Sequence, residues 1–115
     1  MSVERINPGP RMSKAVVHGD TVYLAGITAD DTSQDVKGQT WQILAAIDAL
    51  LAKAGTDRSK ILSANIWLTD IKTWSQMNEV WDAWVSPGNT PARATVEAKL
   101  AAPGHTVEIM VQAAK

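Results

Sequence analysis

Three residues of this sequence combine a type and a setting that could carry chemistry: Arg93, Glu108 and Asn78. Arg93 lies in NTPARATVEAKL, residues 89–100, where Ala92, Ala94, Val96, Ala98 and Leu100 alternate with Arg93, Thr95, Glu97 and Lys99. A period of two is the pattern of a strand with unlike faces. Arg93 is then either the first charge of a solvated face or an anion-binding group where a loop enters the sheet, a common place for sites. A guanidinium fork grips a carboxylate through charge-assisted bonds that contribute roughly 1.5–3 kcal/mol each. Glu108, in HTVEIMVQA, points away from Val107 and Ile109. It is either an exposed or ion-paired glutamate or a carboxylate that positions or deprotonates a water. If the last two strands form a hairpin around Pro103-Gly104-His105, Glu108 shares a face with Arg93 or with a neighbouring subunit's copy. Asn78 interrupts an apolar helical stripe between Trp74 and Trp81. An amide buried there unpaired costs about 1–3 kcal/mol, so it either ties the helix to a loop or helps line a pocket.

Other chemistries lack their residues. The absence of cysteine removes disulfides, thiolate metal sites and cysteine nucleophiles. His18 and His105 fall in turns without neighbours at metal-ligand spacing, so no metal is expected. Gly19, Gly26 and Gly38 do not make a phosphate loop, and no serine-hydrolase signature is present. With 11 basic and 12 acidic residues, net charge −1 and no basic cluster, the chain has no electrostatic footprint for nucleic acid or anionic membranes. No run approaches the ~18 apolar residues of a membrane span, and MSVERINPGPRMSK holds no apolar signal core. A cytoplasmic protein is the expectation.

The elements that must position these residues follow from the same patterns. A single domain over residues 1–115 is expected, long enough for a real core. KAVVHG and TVYLAG, joined at His18-Gly19-Asp20, predict a hairpin from about Ala15 to Ile27 after an irregular lead-in at Pro8-Gly9-Pro10. Val36, Ile43, Leu44, Ile47, Leu50 and Leu51 mark a helix, with Thr32 and Asp35 as a capping box and Gly55 as its stop. KILSANIWLTD predicts a strand with Leu62, Ala64, Ile66 and Leu68 on one face and Ile61, Asn65 and Trp67 on the other. Asp70 can cap a second helix whose stripe is Ile71, Trp74, Met77, Trp81, Trp84 and Val85, ended by SPGNTP. Two further strands complete a ββαβαββ order, an α+β domain with two helices on one face of a single sheet. Five tryptophans and no phenylalanine point mostly to core filling. With helices over the Leu62/Ile66, Ala94/Val96 and Val107/Ile109 side, Tyr23, Ile61, Trp67 and Met110 face away. That is too much apolar area for a small monomer, so a homo-oligomer that buries this face is expected.

Taken together, RMSKAVVHGDTVYLAG, ILSANIWLTDIKTWSQMNEVWDAW and TPARATVEA…HTVEIMVQA resemble the RidA/YjgF family of reactive-intermediate imine deaminases, from about Arg11 to Ala113. The resemblance implies a chorismate-mutase-like α+β fold and a homotrimer with active sites at subunit interfaces. It also implies hydrolysis of 2-imino acids, and their enamine tautomers, to 2-keto acids and ammonia without metal or cofactor. On this resemblance Arg93 grips the substrate carboxylate and Glu108 orients or activates the water. Thr95 stands where many members carry cysteine and contributes mainly its backbone N–H, Gly26 lines the pocket with its backbone, and Asn78 lies beside it. An imine carbon is already electrophilic, so orientation, a proton acceptor and a fixed carboxylate suffice. Two positions depart from the family pattern. Arg11 and Met12 follow Gly9-Pro10 where a tyrosine is usual, and Ile27 replaces a glutamine. An extra arginine near the site would favour a second anionic group on the ligand. Two other functions compete. One is a non-catalytic trimer that senses carboxylic acids or binds a partner in the same cleft. The other is the ribonuclease activity associated with part of the family, against which the balanced charge and missing basic, aromatic-lined groove argue.

Overall fold

The computed structural model describes residues 1–115. Its elements are β1 (Val3–Pro8), β2 (Ser13–His18), β3 (Thr21–Leu24), α1 (Val36–Lys53), β4 (Ile61–Leu68), α2 (Trp74–Trp84), β5 (Ala92–Glu97) and β6 (Val107–Ala114). Short 3-10 turns, Arg58–Lys60 and Ile71–Thr73, lead into β4 and α2. The six strands form one mixed sheet in the order β1-β2-β3-β6-β4-β5, with both helices packed on one face. β1 to β3 run as an antiparallel meander, and β6 lies antiparallel to both β3 and β4. β5 is parallel to β4, a pairing that needs a crossover, and α2 supplies it. No helix is long and apolar enough to cross a membrane.

The α1 stripe of Ile43, Leu44, Ile47 and Leu51 is fully buried against Val22, Ile66, Leu68, Val107, Ile109 and Val111 from the sheet. Gly55, at φ 84°, closes the helix end in the left-handed region that glycine enters without strain. At the other end the cap is simpler than the capping box predicted. Asp35 alone occupies the N-cap and its carboxylate accepts from Gly38 N at 2.9 Å, while Thr32 takes no part. Asp35→Ala is therefore expected to lower stability by about 1 kcal/mol. Urea denaturation checks this, and an unshifted midpoint would deny the cap any energetic role.

Five expectations need correction. Gly9 and Pro10 are irregular as expected, but the residues before them form an unexpected edge strand, β1, in which only Ile6 is buried. A strand with one inward side chain and exposed Glu4 and Arg5 carries almost no apolar alternation to detect. The final two strands are not a hairpin, because β4 lies between them. A register shift between Ile61 and Ser63 turns Ile61 into the core and leaves Leu62 about half exposed, the reverse of plain alternation. Ile71 and Trp74 also stay exposed, since the chain is still in a 3-10 turn at Ile71 and α2 begins only at Trp74. Of the five tryptophans, only Trp81 and Trp84 are buried in the core, whereas Trp41 and Trp74 are at least half exposed.

Candidate functional site

Residues paired across neighbouring strands share a face of the sheet. Val111, Ala64 and Arg93 make one such row; Ile27, Ile109, Ile66 and Thr95 make the next, then Val107, Leu68 and Glu97. Their buried members place all three rows on the helix-covered side. The alternation in β5 is as predicted, but its orientation is inverted. Arg93 and Thr95 face α2, while Ala94 and Val96 face away, with Val96 half exposed. Glu108 pairs with Trp67, which pairs with Val96, so Glu108 lies on the open side. Arg93 and Glu108 therefore occupy opposite faces of one sheet, on strands separated by β4. The two do not share a face within one chain.

Arg93 sits on a ledge between α2 and the edge strand β5. Ile71 N donates to Glu97 Oε1 at 3.1 Å at one end, and the Arg93 guanidinium lies over the Trp81 ring, 5.3 Å from its centroid, at the other. From Ile71 to Trp81 the helix advances about 15 Å, and from Glu97 to Arg93 the strand returns about 13 Å. The two elements thus run side by side in opposite directions, with Asn78 between the fixed points. Asn78 Oδ1 and Thr95 Oγ1 are both shut off from solvent without a hydrogen-bond partner. The tie from Asn78 to a loop is therefore absent, and its acceptor is left over.

The same protein contains a finished version of the arginine–tryptophan stack. Arg58 lies 5.1 Å from the Trp84 ring centroid, and its guanidinium donates to Asp48 Oδ2 at 2.7 Å and to Trp84 O at 2.8 Å. Trp84 Nε1 donates to the same Asp48 oxygen at 3.0 Å. Arg93 has the tryptophan but no carboxylate, for the protomer's two ion pairs are Arg58–Asp48 and Lys37–Glu79. Burial pushes the Arg93 guanidinium below the usual arginine range, with the charge of Asp82 opposing the shift. It remains a cation at any working pH, and a half-desolvated cation without a partner favours an anion. A shallow depression of about 280 Å³ lies on the opposite, open face of the same strands, where Ser63, Asn65, Ala92 and Ala94 point away from α2.

On the open face the Glu108 carboxylate rests against the Cα of Gly26, where any β-carbon would overlap Oε2. Glycine is required there for the approach rather than for its φ. Ile27 and Ile109 exchange two backbone bonds, of 2.8 and 3.1 Å, which lock the Gly26 segment to β6. Arg11 is exposed on the turn between β1 and β2, a turn closed by Gly9 N donating to Met12 O at 2.8 Å. The structure therefore gathers five of the six residues into two groups, Arg93, Thr95 and Asn78 on the ledge and Gly26 and Glu108 on the open face, and leaves Arg11 apart from both. Two contributors escaped the sequence reading. Trp81 was assigned to the core alone, and Gln39 was not singled out, although it interrupts the stripe between Val36 and Ile43 as Asn78 interrupts its own.

Residues 3–115 match the sequence model of the Endoribonuclease L-PSP family. A RutC family protein of Haemophilus influenzae is 45% identical over 112 residues, which span 96% of this chain and 97% of that protein. The chain belongs to the RidA/YjgF family. Another relative, the RutC family protein YoaB of Escherichia coli, is 42% identical over 114 residues, 99% of each chain. The crystal structure of a YjgF-family protein from Neisseria meningitidis agrees with a TM-score of 0.97 at 42% identity, covering 100% of this chain and 96% of the other. The α+β fold expected of a RidA/YjgF member, one sheet with two helices on one face, is the fold observed.

Proposed function

We propose that this RidA/YjgF protein is a hydrolytic deaminase that converts 2-imino acids, and their enamine tautomers, to 2-keto acids and ammonia. The observation that carries the reading is Arg93, stacked on Trp81 without the carboxylate that completes the matching stack of Arg58. In this reading the substrate carboxylate takes that place. Glu108 of an adjoining copy accepts a proton from water as its oxygen adds to the imine carbon. That proton passes to nitrogen to give a carbinolamine; the hydroxyl proton then follows it through Glu108 as the C–N bond breaks, so ammonia leaves and the carbonyl forms. Binding the carboxylate fixes the imine carbon against the water, which converts an encounter into an oriented addition.

The opposed faces of Arg93 and Glu108 support a site shared between copies, which in this reading form a homotrimer. The open face, with half-exposed Tyr23 and Val96 and partly covered Trp67 and Met110, supplies the apolar surface such copies would bury. The direct test generates imines in situ with an amino-acid oxidase and follows keto-acid and ammonia release, alongside sedimentation. Release above the spontaneous rate from a trimeric species is expected. Saturable 2-keto-acid binding without turnover would instead make the protein a carboxylate sensor. A ribonuclease reading has the name of the Endoribonuclease L-PSP family behind it, but a net charge of −1 offers little to hold a phosphate backbone.

A further inference from the structure

Gln39 is completely buried in the first turns of α1, and its amide bonds three backbone groups, one just before the helix and two in the distant segment that leads into β6. Nε2 donates to Gln34 O at 3.0 Å and to Gly104 O at 2.9 Å, and Oε1 accepts from Thr106 N at 2.9 Å. The two segments joined in this way both flank the contact between Gly26 and Glu108. One continues from Gly26 through residues 27–35 into α1; the other, residues 98–106, feeds β6, whose second residue is Glu108. His105 Nε2 adds a second link between them, 3.1 Å from Ala29 O.

The bonds bracket Glu108 closely. Thr106 is gripped on both sides, its N–H by Gln39 and its carbonyl by Thr69 N at 3.1 Å. Ile109, just after Glu108, is held by its two bonds to Ile27. The β6 entry is thus tied by backbone bonds on both sides of Glu108, whose carboxylate lies against Gly26. Without Gln39, the anchors on the far side of Glu108 survive, while the near side keeps only the Thr69–Thr106 bond and the His105 contact and loses its tie to α1. A geometry set to within an ångström loses roughly a hundredfold in rate when displaced by about that much.

We infer that Gln39 is a positioning residue for Glu108, holding the carboxylate at the register in which it meets the water. The catalytic consequence rests on the deaminase reading; the structural one does not. Gln39→Met keeps the length of the side chain and removes all three bonds. Gly104→Ala disturbs the same clamp from the exposed side. Gly104 has φ 89°, and a β-carbon there would stand 3.1 Å from Thr32 Cβ. Both variants are expected to lower kcat per folded protein about tenfold or more while KM stays within about threefold, because the carboxylate grip at Arg93 lies on the other face. Unchanged kcat per folded protein with only a lowered unfolding midpoint would overturn the inference, as would a rise in KM matching that of Arg93→Ala. If Gln39→Met does not fold, Gly104→Ala decides. If the wild type turns over no imine, the deaminase reading fails by itself. Crystal structures of the folded variants then decide this one: a Glu108 carboxylate drawn off Gly26 supports it, and one left in place refutes it.

Discussion

Arg93→Ala is expected to reduce kcat/KM for imino-acid hydrolysis by roughly 30- to 1,000-fold, chiefly through KM, the equivalent of about 2–4 kcal/mol. The size follows from what the guanidinium offers. It is half-desolvated, oriented by the face of Trp81 and unpaired within the protomer, so little need be broken or reordered before a carboxylate binds. Arg93→Lys should recover only part of the loss, since a point charge lacks the planar fork and stacks poorly. Arg58→Ala is the informative control. That arginine already holds Asp48, so its removal should lower stability and leave KM for the imino acid alone. Equal KM values for wild type and Arg93→Ala, measured by steady-state keto-acid release, would take Arg93 out of substrate binding.

The second large effect is expected at Glu108. Glu108→Gln preserves the shape packed against Gly26 but cannot accept a proton from water, so kcat should fall at least about a hundredfold with KM nearly unchanged. The opposed faces make a sharper experiment possible. Arg93→Ala and Glu108→Gln chains, each inactive alone, can be co-expressed and assembled together. If each site takes its arginine from one copy and its glutamate from the next, about one site in four regains both groups in a random mixture. Activity near a quarter of wild type is the expected result. No recovery from verified mixed oligomers would show that both groups come from the same chain.

The sequence disclosed most of the framework and less of its handedness. Helices α1 and α2, strands β2 to β6 and the two-faced character of β5 were all legible, because each has a strong local period. Which face of β5 meets the helices was not. Alternation is symmetric, and small residues at Ala92 and Ala94 gave the exposed side the look of a core side. The place of β6 between β3 and β4 is a long-range pairing with no local signature. Ile61 was misplaced by a bulge of a kind that periodicity cannot register. For the site, the residue types were readable, but the decisive fact, Arg93 on Trp81 without an anion, needed three dimensions. Gln39 was within reach: a glutamine on an apolar stripe obeys the rule that drew attention to Asn78.

The central place of β6 also bears on how the protein comes into being. It is the last strand in chain order, yet it is the one that joins the β1–β2–β3 meander to the β4–β5 pair. Until it emerges from the ribosome, the newborn chain holds two half-sheets with facing, unsatisfied edges. Such edges are aggregation hazards, and the missing contacts span most of the polypeptide, a topology that folds slowly. Folding during translation must therefore wait for the final segment, the same segment that delivers Glu108. Closure of the sheet and placement of Glu108, the proposed proton acceptor, are one event, so a nascent chain stalled before Val107 would be both unclosed and without that carboxylate.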